Sequence, residues 1–239
     1  MEYELSGIDI HFLVKELKEI EGGKIEKIYQ WKNDFIIRIY KQGSKYNLRI
    51  NLPHLMYLTE KDYQGPRHPP EYCMFLRKYI QKGRIKNVTQ KDLDRVVIIE
   101  VESREGTFFL VTELLSPGNV SLCDESYEVI HPLEKQVFSN REIKSKKTYE
   151  FPPARLNPLE AHLDDINEAL DDDEKIVSEL AVKLGLGGDY SEEVLYRLDI
   201  DKENKVQDVD LQDIFDEIQA LLTQDIEPYL SKQGIHPIR

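Results

Sequence analysis

The chain is poor in sulfur and in tryptophan, with two cysteines, three methionines and a single tryptophan in 239 residues. Cys73 and Cys123 lie far apart in sequence, so neither a disulfide framework nor a cysteine-rich metal site has anything to build on. Both are expected to be small buried apolar side chains. The six histidines (11, 54, 68, 131, 162 and 236) show no HxH, HxxxH or HExxH spacing, which leaves zinc without a recognisable ligand set. No run of about 18 apolar residues exists to cross a membrane, and the opening MEYELSGIDI is too acidic for a signal peptide. A cytoplasmic protein with no membrane partner is expected. Walker, GxGxxG and GxSxG motifs are also missing. No enzymatic activity, cofactor or small-molecule substrate is therefore expected.

What is present begins with an ordinary apolar content of 40%, enough for a packed core. Charge is distributed unevenly. Residues 1–150 carry 24 Lys and Arg against 23 Asp and Glu, while residues 151–239 carry 8 against 22. A near-neutral part is thus joined to a strongly acidic one, a composition boundary. The overall net charge of −13 disfavours non-specific nucleic-acid binding, although a local basic patch on the first part escapes that argument.

Ser6-Gly7-Ile8-Asp9 reads as a capping-box-like helix start, followed by Ile10, Leu13, Val14 and Leu17 on one face. Gly22-Gly23 ends that helix. Strands are expected at 24–31, 34–40, 46–52 and 55–59, forming an antiparallel meander. Pro69-Pro70 opens a second helix that Gly83 closes. A second meander follows at 84–90, 94–103 and 107–115, with shorter strands at 119–123 and 128–130. After Phe151-Pro152-Pro153 the chain reads as all-helical, with helices at 158–170, 172–184 and 211–222. Gly185-Leu186-Gly187-Gly188 suggests a helix–hairpin–helix, with Ser191 capping the helix after the turn. The ending YLSKQGIHPIR reads as a strand cut off in progress, so the chain is expected to be a piece of a longer protein. The fold class is α+β.

Three features could carry chemistry. Arg77, Lys78, Lys82, Arg84, Lys86, Lys91 and Arg95 form a basic segment opposed only by Asp92 and Asp94. It is either a solvated helix face or a phosphate-binding surface. The glycine hairpin is either structural or an RNA contact, with Asp189, Glu192 and Glu193 working against phosphate at its positive end. Asp94-Arg95 sits at the expected start of an apolar strand. Strand neighbours point to opposite faces, so the two would not pair with each other, and the choice between a charged strand end and a binding surface stays open.

Ordered stretches of the chain resemble the NFACT family of ribosome-associated quality-control factors, once labelled fibronectin-binding protein A. They are GIDIHFLVKEL, GGKIEKIYQ, PPEYCMFLRKYIQKGRI, QKDLDRVV, TELLSPGNVSLCD, the run from LEKQV to KKTYEFPP, and LGLGGDYSEEVLYRLDI. The resemblance implies an NFACT-N domain over 1–170, with a sheet like that of formamidopyrimidine-type DNA glycosylases. It implies a helix–hairpin–helix domain over 171–239, cut before a coiled coil and an NFACT-R domain. It further implies partners: tRNA, the large ribosomal subunit and obstructed peptidyl-tRNA, with charged tRNA recruited for template-free C-terminal tailing. An Asp-Arg dipeptide and a Glu-apolar-apolar stretch are the family's tRNA-associated sites, matching Asp94-Arg95 and Glu113-Leu114-Leu115. Arg77, Lys78, Lys82, Arg84 and Lys86 would add salt-dependent affinity for tRNA. Two rivals remain: a nucleic-acid enzyme on the glycosylase-like scaffold and a fibronectin-binding adhesin. Against the first, the chain begins Met1-Glu2-Tyr3 without the proline amine that glycosylase chemistry uses.

Overall fold

A computed structural model describes residues 4–230 and 235–236. The chain divides into two compact units. The first holds Leu13–Lys91 and Arg95–Pro152 with the residues up to Leu5; the second holds Ser6–Phe12, Asp92–Asp94 and the chain from Pro153 onward. This break at Pro152/Pro153 follows the composition shift and lies earlier than the 170/171 boundary expected from the family. The reason is packing: Leu156, Ala161, Ile166 and Leu170 are built into the helical core.

The first unit is organised by a nine-stranded antiparallel sheet in the order β4-β3-β2-β1-β5-β6-β7-β8-β9. Helix α1 (Gly7–Leu17) precedes β1 (Lys24–Trp31), β2 (Asp34–Lys41), β3 (Ser44–Asn51) and β4 (Leu55–Thr59). Helix α2 (Glu71–Ile80) precedes β5 (Arg84–Gln90), β6 (Val96–Ser103), β7 (Gly106–Glu113), β8 (Asn119–Asp124) and β9 (Val129–Pro132). Two short strands, β10 (Gln136–Val137) and β11 (Glu142–Ile143), pair with each other. The two helix-then-meander halves meet where Lys24 pairs with Arg84. That junction is reciprocal. Ile25 donates to Gly83 O at 2.8 Å and Ile85 to Gly23 O at 2.9 Å, while Lys82 donates to Ile25 O at 2.7 Å and Gly22 to Ile85 O at 2.8 Å. Each half carries a bulge just after this point, between Ile25 and Lys27 and between Ile85 and Asn87. Gly23 and Gly83 are required there: a Cβ would come within 2.5 Å of Ile39 Cγ2 at the first and 2.7 Å of Val101 Cγ1 at the second.

Alternation assigns the faces of this sheet. In β1 and β2, Ile28, Phe35, Ile37 and Ile39 are buried, whereas Lys27 and Arg38 pair across the strands on the other face. Cys73 and Cys123 are free and buried, as expected. Burial pushes the Cys123 thiol up to about 12.

The second unit is helical. Its core collects Ile8 and Phe12 of α1, Leu93, and side chains of α3 (Leu163–Ala169), α4 (Ile176–Val182), α5 (Gly187–Arg197) and α6 (Leu211–Thr223). The Ser6–Asp9 capping box is present: Ser6 N–H donates to Asp9 Oδ2 at 2.8 Å and Asp9 N–H donates to Ser6 Oγ at 3.0 Å. Asp9 also accepts from the Tyr190 hydroxyl at 2.7 Å. On α6, Ile214, Ile218, Leu221 and Leu222 are buried as the periodicity predicts, and Phe215 is half-buried. Helices α3 and α4 are shorter than expected. Around Asp171, side chains capture backbone amides that a helix would use: Asp171 N–H donates to Glu179 Oε2 and Asp173 N–H to Asp171 Oδ1. Ser191 is not a cap. It lies inside α5, fully buried, and its hydroxyl donates to Gly187 O at 2.7 Å. Of the C-terminal segment, Tyr229–Leu230 pairs with Ile235–His236, and the rest of YLSKQGIHPIR lies outside the described residues. So does Met1-Glu2-Tyr3. No helix among the described residues is long and apolar enough to cross a membrane.

Candidate nucleic-acid interface

Asp94 and Arg95 do not begin a strand. β6 starts at Val96, and the dipeptide occupies the bend before it, with Asp94 grouped in the helical unit and Arg95 in the sheet unit. The positive φ of 51° at Asp92 turns the chain there. Strand alternation therefore does not govern this pair. Arg95 is half-exposed, and its Nη1 donates to Glu4 Oε2 at 2.9 Å. Glu4 is itself 42% exposed, and such a surface pair contributes only about 0–1 kcal/mol, so an incoming phosphate can replace it. Within the helical unit Asp94 lines a depression of about 10 Å³ with Arg155, Asn157 and Gly185. That volume admits a water at most, not a base.

Backbone pairing ties Arg95 to the Glu-Leu-Leu stretch. Leu114 N–H donates to Arg95 O at 2.8 Å, one step beyond the paired residues Val96 and Glu113. The two segments singled out in the sequence thus come together. Their exposures differ sharply. Glu113 and Leu114 are buried and Leu115 is half-buried, whereas Arg95 presents its charge to solvent. Glu113 is held by three donors. Arg141 Nη1 and Nη2 bond its two oxygens at 2.7 Å each, and the Tyr149 hydroxyl donates to Oε1. Burial works against the charge on Arg141, but the Glu113 carboxylate more than offsets it and its pKa lies above the ordinary arginine value. Burial, reinforced by the Glu113 charge, raises the Tyr149 phenol well above its usual range and keeps it a donor. Neither Arg141 nor Tyr149 is legible in the sequence as a partner of Glu113, because both come from beyond the sheet and no local pattern marks them.

The basic segment is not one patch. Arg77 donates from Nε and Nη2 to Ile28 O at 2.8 and 2.5 Å. Lys78 is exposed, with its ammonium 5.1 Å from the Tyr79 ring centroid. Lys82 is exposed in the turn before β5, with φ of 70°. Arg84 donates to Gly22 O, and Lys86 lies 3.1 Å from Glu102. Lys86 and Glu102 are both about half-exposed, so that pair too can exchange for phosphate.

Over residues 6–237 the chain matches the family described as NFACT N-terminal and middle domains. It is 31% identical over 219 residues to the archaeal Rqc2 homolog aRqcH of Methanocaldococcus jannaschii, covering 86% of this chain and 33% of that protein. It is 34% identical over 178 residues to the Rqc2 homolog RqcH of Bacillus subtilis, covering 67% of this chain and 31% of that one. The chain therefore spans about a third of the length of these curated relatives. Among solved structures, the N-terminal part of the fibronectin/fibrinogen-binding protein of Streptococcus suis superposes with a TM-score of 0.81 at 26% identity, covering 98% of this chain and 90% of that one. The ordered motifs, the α+β fold and the match across nearly the whole sequence lead to one assignment: the chain belongs to the NFACT family.

Proposed function

We propose that this chain is the tRNA- and large-subunit-binding part of a ribosome quality-control factor, acting in the cytoplasm and performing no chemistry of its own. In this reading it recognises an obstructed peptidyl-tRNA on the large ribosomal subunit and helps recruit charged tRNA for template-free tailing. Relatives from Saccharomyces cerevisiae and Homo sapiens that are named as ribosome quality control complex subunits support the ribosomal part of this reading. The observation that carries the tRNA part is the Leu114–Arg95 hydrogen bond. It anchors a solvent-facing arginine, released easily from Glu4, on a strand end locked by the Glu113–Arg141 pair. Arg95 then contacts tRNA, Asp94 accepts from a base or orients the arginine, and Glu113 with Leu114 positions them without touching RNA. The sheet unit serves as a glycosylase-like scaffold. The α4–Gly185-Leu186–α5 turn serves as a helix–hairpin–helix whose acidic residues favour contacts other than phosphate.

The test is tRNA binding by this chain across a salt series, wild type against Asp94→Ala/Arg95→Ala. A loss of about 1–3 kcal/mol in affinity is expected from the double variant. Equal binding by a well-folded variant would remove the site. A second reading follows from the structurally similar Streptococcus suis protein, which is named for binding fibronectin and fibrinogen. Capture of either by the purified chain, with no tRNA binding, would favour it.

A further inference from the structure

The outer face of the first meander carries a second cationic feature that the basic segment did not predict. Lys27 of β1 and Arg38 of β2 are direct cross-strand partners, and like charges placed opposite each other destabilise a sheet. Lys45 of β3 adds a third cation, and Arg77 reaches the same place from α2. Residues 60–67 cross back over this face. They are held by Asn47 Nδ2 donating to Lys61 O at 3.0 Å and by Arg38 Nη2 donating to Tyr63 O at 3.1 Å. The crossing needs Gly65, because a Cβ there would meet the Tyr29 ring at 2.3 Å. It brings Arg67 to the rim.

The result is a cleft of about 840 Å³ with five cations, Lys27, Arg38, Lys45, Arg67 and Arg77, and one carboxylate, Asp62. Asp62 is engaged by Lys45 and lies 3.6 Å from Arg38. Lys27 and Arg67 are exposed, and neither has an ion pair among the described residues. In a chain of net charge −13 such a concentration is costly to fold and repels nothing anionic. Beside the cations stand two half-buried rings, Trp31 and Tyr63, with centroids 6.5 Å apart.

We propose that this cleft binds a single-stranded RNA segment. Arg67 and Lys27 would take successive phosphates, and the Trp31–Tyr63 pair would receive a base. Planar guanidinium groups suit phosphate, and ring faces beside a cationic groove are what a base uses and an acidic peptide does not. This inference rests on the RNA-binding reading above and gives it a second site, separate in the chain from Asp94-Arg95.

The experiment uses the 239-residue chain and a labelled single-stranded RNA of about twelve nucleotides, a length within the span of such grooves. Anisotropy is followed from about 50 to 200 mM KCl, and Trp31 emission is read in parallel, since the chain has no other tryptophan. Lys27→Glu/Arg67→Glu is compared with Arg104→Glu/Lys135→Glu, which makes the same charge change at exposed positions outside the cleft. Wild type should bind with quenching of Trp31. The cleft variant should bind at least about tenfold more weakly, with a salt slope lower by about 1.4, two contacts at about 0.7 each. The control should change little. Asp94→Ala/Arg95→Ala should retain the quenching. Wild-type binding that survives in the cleft variant, or that leaves Trp31 emission unchanged, overturns this site while leaving the Asp94-Arg95 reading intact. Absence of both RNA and tRNA binding overturns both. Displacement of the RNA by an equimolar polyglutamate peptide assigns the cleft to an acidic protein segment instead.

Discussion

Arg141 grips Glu113 through two 2.7 Å hydrogen bonds, and the side chains are only 6% and 3% exposed. Buried this deeply, each charge depends on the other. Removing one leaves an unpaired ion in the interior, whereas removing both leaves only a packing defect. Glu113→Gln or Arg141→Met alone is expected to cost about 3–5 kcal/mol of stability in urea denaturation. The double variant should cost clearly less than the sum. Additive losses would mean that the pair does not act as a unit.

The Glu4–Arg95 pair lies at the opposite extreme, with 42% and 27% of the side chains exposed. Glu4→Ala should therefore change stability by less than about 1 kcal/mol. It should also strengthen tRNA binding severalfold by freeing the guanidinium. A fall in tRNA affinity would show that Glu4 holds Arg95 in its working position instead of competing for it.

Gly7 opens α1 with no room for a side chain, because an added Cβ would lie 1.9 Å from Leu93 O. Gly7→Ala must push away the buried Leu93 and with it the segment leading to Asp94. A loss of about 1–3 kcal/mol is expected from this overpacking. Thermal unfolding checks it, and a variant as stable as wild type would mean that residues 92–94 move freely.

Cys123 links stability to alkaline pH. Its thiol rises from 9.0 to about 12, first because burial disfavours the thiolate and second because Asp124 is nearby. The folded state therefore keeps a proton that the unfolded chain releases. This contribution is whole below pH 9.0 and is lost as pH climbs toward about 12. Cys123→Ala should flatten the decline in stability over that window, after allowance for its own packing cost. In the native protein Cys123 should also resist alkylation at pH 8, a value within about one unit of an ordinary thiol's pKa.

Most elements were readable from the sequence because their determinants are local. The strands at 24–31, 55–59 and 84–90 agree residue for residue with β1, β4 and β5, and glycines precede the first and third of them. The Ser6–Asp9 cap is likewise a contact within four residues. Local patterns misled where side chains compete with the backbone. The aspartates at 171–173 delayed the start of α4, the His162–Asp165 capping box set a late start for α3, and Ser191, a good cap by type, turned out to be an interior residue of α5.

The candidate site was legible as residues but not as geometry. Composition marked Arg95 and the basic segment, and the ordered motifs marked Glu113-Leu114-Leu115. What none of these could reveal is which residues meet. Strand register across β6 and β7 joins Leu114 to Arg95, and a chain return from Arg141 buries Glu113, so one charge is left for solvent and the other is sealed. Lys27, Arg38 and Arg67 look unrelated in a linear reading, yet sheet pairing and the return of residues 60–67 place them around one cleft. Most of the elements and the family could be read along the chain, because caps, alternation and ordered motifs act over short distances. Only the tertiary structure decided which charges are buried, paired or open, because burial and partnership depend on surfaces assembled from segments far apart in the chain.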